Sequence, residues 1–431
     1  MKAAILHGKE RVQIEDIAPP ALKPGEVRLR IEAALTCGTD LKVFKRGYHA
    51  RMIVPPAVFG HELAGVITEV ADEPAGHPSH KAGGADLPVG PDARQRVPAA
   101  FTDSMHDSGI VEAPHEPAAS PPGFGVRRPS GAFAPPTNPQ SRPETGTSLP
   151  PAVFGAVGGV PGEKWSVGDR AVVANSAPCG VCLHCRAGQE NLCEDLLFLN
   201  GAYAESIVVP ARIARKNLLR LKPQTHFRDA ALTEPLACVV QGVEDTNLRP
   251  GQNVLVLGTG PIGLMFVALA KNLGCHVAVA GRRAPRLDAA RRFGADEVVD
   301  IGDGRNLVSR VREATRTQFD AVIEAVGHPG VWEAAVHLVR KGGTVNFFGG
   351  CPSGTTITLD TTLIHYSNLT LLASFHHTPR TIRRALAYIE AGVVRGADFV
   401  DGECPLTQLP QLFKSMAAGN HAIKTLIRVH E

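Results

Sequence analysis

The chain has 431 residues, 44% of them hydrophobic and 20% charged, enough for two domains with cores of their own. Its 45 basic and 42 acidic side chains leave a formal charge of +3, which excludes the one-sided basic footprint of a nucleic-acid binder. No apolar run approaches the ~18 residues of a membrane span, the N-terminal MKAAILHGKE has no long apolar h-region, and four of nine cysteines are clustered; the expectation is a cytoplasmic protein in a reducing compartment, with neither membrane nor nucleic acid as partner.

The first 70 residues alternate short apolar runs with Gly and Pro punctuation (KAAIL, EVRLRIEAAL, AGVITEV) and predict a β-rich region. Within it stand Cys37-Gly38-Thr39-Asp40 and Gly60-His61-Glu62. Cys37, His61 and Glu62 together make a zinc set that leaves an open position for substrate. Taken singly, each is equally at home as a core thiol or a satisfied buried imidazole. From 74 to 163 the texture changes. That stretch holds half of the chain's 34 prolines and loses all periodicity, so it reads as a long, irregular insertion. PPAVFG occurs at 55–60 and again at 150–155, and two copies do not make a solenoid. His77, His80, His106 and His115 in the insertion have no metal-like spacing.

Patterning resumes at WSVGDR and leads into PCGVCLHCRAGQENLC. Cys179, Cys182, Cys185 and Cys193 have the spacing C-x2-C-x2-C-x7-C. Four thiolates so close can converge on one tetrahedral ion and leave it no open position, which makes a structural site rather than a reactive one. From about 238 the rhythm becomes strand, helix, strand. Predicted strands cover 253–258, 276–281, 297–300, 321–327 and 343–349, with helices over 261–273 and 286–293, and this alternation argues a parallel sheet covered on both faces. Gly258-Thr259-Gly260-Pro261-Ile262-Gly263 follows the first strand and opens the first helix, the context a dinucleotide fingerprint requires. Gly258 makes the turn, Gly260 admits the pyrophosphate, and Gly263 lets helix and strand pack closely. At the end of the second strand Gly281 stands where an acidic ribose ligand is expected, followed by Arg282 and Arg283. Two guanidiniums suit a 2′-phosphate, which favours NADP(H) over NAD(H). Arg286, Phe348 and Gly349 are further expected cofactor neighbours. The tail from about 373 carries one more helix, PRTIRRALAYIEAG, and ends on AIKTLIRV.

These pieces, CGTD, GHE, GDR (168–170), the four-cysteine loop, TEPLAC (233–238), GTGPIG and EAVG (324–327), resemble in order the zinc-dependent medium-chain dehydrogenases, the alcohol, sorbitol and threonine dehydrogenase superfamily. The resemblance spans nearly everything outside 74–163. It implies a GroES-like β-barrel catalytic domain over 1–237, a Rossmann doubly wound domain over 238–372, and a return of 373–431 to the catalytic domain. It implies two zinc ions per chain: a catalytic one at Cys37, His61 and Glu62 with Glu234 as a fourth ligand or one bridged by water, and a structural one at the four-cysteine loop. It also implies hydride transfer between a secondary alcohol or polyol and a nicotinamide, in a homodimer or homotetramer. Thr39 matches the hydroxyl that takes the alcohol proton. The next relay position, commonly His, is Lys42 here, which leaves Lys42 or water as the exit. A zinc-free, quinone-reductase-like enzyme and a non-enzymatic nucleotide-binding scaffold are the competing readings.

Overall fold

The computed structural model describes residues 1–49, 52–72, 164–419 and 422–430. The insertion, its histidines and the second PPAVFG copy lie outside the described residues. The N-terminal part is built on β1 (Val27–Leu35), which pairs antiparallel with β2 (Glu62–Val70) from Val27↔Val70 to Leu35↔Glu62. Alternate residues of β1, among them Val27, Leu29 and Ile31, are buried, as a half-covered strand requires. A short helix, α1 (Gly38–Arg46), follows β1 directly, with Cys37 as its N-cap.

β2 also pairs antiparallel with strand Arg170–Val173, and the ladder ends in Ile67 N–H to Asp169 O (2.8 Å) and Gly168 N–H to Ile67 O (2.8 Å). The 74–163 segment therefore joins two neighbouring strands of one sheet. The last strand of the chain, Lys424–Arg428, lies antiparallel on the other side of β1, with Leu426 opposite Leu35. The tail thus pairs with the N-terminal sheet. Strand Val400–Pro405 lies beside it in parallel register, the one parallel pair of this otherwise antiparallel sheet among the described strands.

The nucleotide-type sheet has six parallel strands. They are β3 (Asn253–Leu257), β4 (His276–Gly281), β5 (Glu297–Asp300), β6 (Phe319–Glu324), β7 (Val339–Phe347) and β8 (Thr370–Leu372), in spatial order β5-β4-β3-β6-β7-β8. This is the doubly wound order with its switch point between β3 and β6. β3 and β4 are buried on both faces and read as continuous Val, Leu and Ala, which is why alternation was absent from their sequence. β6 and β7 begin earlier than their predicted starts, and two helices, Leu307–Ala314 and Pro329–Leu338, went unpredicted. Both are short, of eight and ten residues. Helix α2 (Thr233–Thr246) runs across position 238 and buries Leu236, Val239 and Val240 in one core with Val254, Val256 and Ile382. Among the described residues no helix is long and apolar enough to cross a membrane.

Candidate active site

Cys37 sits at the junction of β1 and α1, extended (φ −122°, ψ 150°), with its Sγ accepting the Thr39 N–H at 3.4 Å. His61 stands just before β2 and Glu62 begins it, so β1–β2 pairing brings them to Cys37. One ligand atom from each of Cys37, His61 and Glu62 lies within 4.8 Å of the others. His61 and Glu62 are buried and Cys37 is half-buried, the pattern of a set that faces a cleft.

Asp40 from the CGTD run, together with Tyr203 and Lys424, which no local pattern singled out, holds this set. His61 Nδ1 lies 3.0 Å from Asp40 Oδ1, and Asp40 Oδ2 accepts the Tyr203 hydroxyl at 2.6 Å. Burial works against the imidazolium here, but Asp40 and Cys37 outweigh it and raise His61 well above its usual range. A carboxylate on the far nitrogen fixes the tautomer that presents Nε2. Lys424, fully buried at the start of the last strand, donates to Glu62 Oε1 at 2.7 Å, Glu62 Oε2 at 2.5 Å and Thr36 O at 3.1 Å. Glu62 thus forms a buried ion pair while it faces the cysteine and histidine.

Glu234, in the first turn of α2, is 7% exposed and takes no hydrogen bond from any described residue. Burial pushes it up to about 7, against the pull of His61. It faces the Cys37 set electrostatically, yet its ligand atom groups within 4.8 Å with those of Cys238 and His376 instead. His376 follows β8 with a left-handed backbone (φ 62°), and its Nε2 lies 2.6 Å from Ser176 Oγ. Burial and His61 push His376 down to about 4, so its imidazole is neutral near pH 7. Lys42 reaches across to Gly350, its Nζ donating to the carbonyl at 3.3 Å.

The four clustered cysteines form a second group of sulfurs. The sulfurs of Cys179, Cys182, Cys185 and Cys193 lie within 4.8 Å of one another, with Cys179–Cys185 and Cys182–Cys193 at 3.9 Å. That is far beyond a disulfide bond. Backbone N–H groups of Cys179, Gly180, Val181 and Cys182 point at these sulfurs at 3.2–3.4 Å. Such donors favour thiolates, and those from Cys185 and Glu194 bring Cys182 down to about 6.

At the end of β3, Gly258 takes φ 114° and helix α3 (Pro261–Asn272) starts with Pro261 in its first turn. A Cβ on Gly263 would lie 1.9 Å from Gly258 O, so only glycine permits this strand–helix approach, whereas the Gly260 Cβ position is open. A crevice of about 450 Å³ is lined by Gly258, Thr259, Gly260, Gly281, Arg282, Arg283 and Arg286. A Cβ on Gly281 would meet the Thr259 side chain at 2.3–2.8 Å. The threonine occupies the space an acidic side chain would need. Ile262 and Phe348, expected beside the cofactor, pack into the core; the Phe348 ring meets Phe266 edge-on at 4.9 Å. Gly349 closes against Gly327 N and the Glu324 carboxylate, which also accepts the Val326 and Gly327 N–H groups at 2.8 and 2.9 Å.

Residues 261–391 match the family described as zinc-binding dehydrogenase, and residues 23–84 and 150–218 match the alcohol dehydrogenase GroES-like domain. D-altritol 5-dehydrogenase of Agrobacterium fabrum is 35% identical over 58% of this chain and 73% of its own length. Sorbitol dehydrogenase of Bacillus subtilis is 23% identical over 99% of this chain and 97% of its own. Among solved structures, alcohol dehydrogenase TADH from Thermus sp. ATN1 superposes with a TM-score of 0.71 at 24% identity, covering 100% of both chains. The 2R,3R-butanediol dehydrogenase of Bacillus subtilis does so with a TM-score of 0.70 at 20% identity, covering 99% of each. At these identities the structural likeness shows a shared fold.

Proposed function

Because the chain belongs to the zinc-dependent medium-chain dehydrogenase superfamily, we propose that it is an alcohol or polyol dehydrogenase that moves a hydride between a secondary hydroxyl and a nicotinamide cofactor. The observation that carries this reading is the convergence of Cys37, His61 and Glu62 within 4.8 Å, beside the unpaired, buried carboxylate of Glu234. Thiolate, imidazole and carboxylate suit zinc, and three such donors leave a position open. Bound there, zinc would polarise the alcohol oxygen while the nicotinamide takes up the hydride.

The chain's own groups prepare that chemistry. Asp40 holds the His61 Nδ1 proton, and Tyr203 holds Asp40. Lys424 balances the charge of Glu62. The Thr39 hydroxyl, two residues beyond Cys37, is our assignment for the first acceptor of the alcohol proton. Lys42 is committed to Gly350 O and ties α1 to the 349–351 loop, so we assign the later proton exit to water. Sorbitol and altritol name the substrates of two relatives, and polyols are the substrate class we assign. A screen of polyols, simple secondary alcohols and 3-hydroxy amino acids with NAD+ and NADP+ tests the reading. No turnover on any, together with no nucleotide binding by fluorescence titration, would sink it.

We assign NADP(H) as the preferred cofactor. Thr259 fills the place of an acidic ribose ligand, and Arg282, Arg283 and Arg286 line the same crevice. Burial and Arg283 depress Arg286 below its usual range, a cost that a 2′-phosphate would relieve. Gly281→Asp alone is expected to weaken binding of both nucleotides, through collision with Thr259. Thr259→Gly with Gly281→Asp is expected to move the NADP+/NAD+ ratio of kcat/KM toward NAD+ by at least about tenfold, roughly 1.4 kcal/mol. An unchanged ratio would contradict the steric account.

We place a second, structural zinc on Cys179, Cys182, Cys185 and Cys193, which hold a surface lobe and lend nothing to the reacting atoms. Cys182→Ala is expected to lower the unfolding midpoint and the zinc content, while kcat per folded chain and nucleotide affinity stay within about twofold. Loss of turnover at undiminished stability would place this cluster in the chemistry instead.

A further inference from the structure

Glu324 ends β6, is 0% exposed, and takes no part in the chemistry above. Its carboxylate lies between two turns. The turn after β6 sends it the Val326 and Gly327 N–H groups at 2.8 and 2.9 Å. The turn after β7 packs against it: Phe348 and Gly349 N–H donate to the Glu324 carbonyl at 3.0 and 2.8 Å, and a Cβ on Gly349 would lie 2.7 Å from Glu324 Oε2. Trp332 Nε1 pins this second turn by donating to Gly349 O at 2.9 Å. A Cβ on Gly327 would lie 2.5 Å from Gly350 O, so the two turns also touch each other. Glu324 forms no ion pair with any described residue. Three titratable groups face this region from the elements around it. Burial raises the Cys351 thiol, Glu324 adds to the rise, and Lys42 opposes it. Lys42 of α1 is exposed, so solvent screens its charge. His328, on the turn after β6, accepts the Gly330 N–H at 3.2 Å and lines the nucleotide crevice. The carboxylate is thus held by neutral donors, and no nearby buried cation cancels its field.

Sheet order places this carboxylate relative to the cofactor. β3 and β6 adjoin at the switch point, with Leu257 opposite Glu324. A dinucleotide lies across that crevice, beyond the carboxyl ends of the strands. Gly281, Arg282 and Arg283 line its β4 side, where the adenosine ribose belongs, so the nicotinamide half falls on the β6–β7 side. Ala325 and Val326 line the same crevice. The oxidised nicotinamide carries a positive charge that the reduced ring lacks. We propose that Glu324 is a positioning residue for the nicotinamide half of the cofactor: it holds the 325–327 and 348–350 turns, and its uncancelled charge favours the oxidised over the reduced ring. The inference rests on the nicotinamide-cofactor reading proposed above. It carries a pH dependence. Burial pushes Glu324 up to about 7, against the pull of the Gly327 and Val326 N–H groups. A positive ring favours the ionised carboxylate, so the oxidised cofactor gains on the reduced one as pH rises through about 7.

The test is nucleotide binding to the full chain, NADPH by fluorescence and NADP+ by calorimetry, from about pH 6 to about pH 8. Glu324→Gln keeps the side-chain length and one acceptor oxygen but removes the charge. In the wild-type chain the Kd of NADP+ divided by that of NADPH is expected to fall by at least about threefold across this range. In Glu324→Gln the ratio is expected to be flat and higher than wild type at the alkaline end. The 2′-phosphate titrates in both nucleotides and cancels in the ratio. Cys351→Ser and His328→Gln, which remove the neighbouring titratable groups, are expected to keep the pH dependence. A carboxylate that only holds the turns would weaken both nucleotides alike in Glu324→Gln, and an unchanged ratio in that folded variant overturns the inference. A wild-type ratio that does not vary with pH overturns it whether or not the variant folds, as does loss of the pH dependence in His328→Gln or Cys351→Ser alone. A wild-type chain that binds neither nucleotide instead removes the premise of the proposed function, so the two failures are told apart.

Discussion

Cys37→Ser is expected to lower kcat/KM by at least about a thousandfold in a chain that still folds, a loss of ~4 kcal/mol of transition-state stabilisation. Serine is among the preferred N-cap residues, and its Oγ can accept the Thr39 N–H that the sulfur now accepts at 3.4 Å. Helix α1 should therefore keep its start. What serine does not supply at neutral pH is an anionic, soft ligand. Three readings check this: kcat/KM on an accepted polyol, zinc per chain, and NADPH binding by fluorescence. Turnover and zinc should fall together while nucleotide binding stays near wild type. A variant with turnover within about tenfold of wild type would instead support the zinc-free reductase, a change of under about 1.4 kcal/mol.

The second large effect belongs to Lys424. Its amine is 2% exposed and meets both oxygens of the fully buried Glu62. Removing one partner of such a pair leaves an uncompensated charge in the interior, and Lys424→Met is expected to destabilise the chain by about 3–5 kcal/mol. Denaturant unfolding of the chelator-treated chain reads this directly. Two controls sharpen it. Glu62→Gln with Lys424→Met removes both charges and should recover much of the loss. Zinc should also recover part of it in the single variant, because a cation beside Glu62 replaces the missing amine. A single variant within about 1 kcal/mol of wild type would show that the pair is already relieved by water or proton uptake.

The elements that could be read from sequence are those whose partners lie close along the chain. Cys179 to Cys193 span one loop, so spacing alone allows four sulfurs to meet, and they do. Gly258, Gly260 and Gly263 sit in one strand–turn–helix, and the missing side chains mark where backbone must approach backbone. The β3 and β4 strands were legible from continuous apolar runs. Helices Leu307–Ala314 and Pro329–Leu338 were not, because each is only two to three turns long and much of its apolar surface is shared with neighbouring elements.

The sequence by itself determined the two-domain class, the zinc-type donor residues and the nucleotide fingerprint, since each depends on residue types at short, fixed spacing. Only the tertiary structure decided which groups stand behind them. Lys424 reaches Glu62 across 362 positions because the last strand pairs with β1 at Leu426↔Leu35, a register set by folding and not by local pattern. Tyr203 reaches Asp40 across 163 positions, and His376 meets Glu234 and Cys238 through the packing around β8 and α2. Thr259 against Gly281 is likewise a contact between two strand ends that only parallel pairing of β3 and β4 creates. Spacing reveals donors that share a loop or a helix; sheet register brings distant strands together, and with them the charges that tune the site.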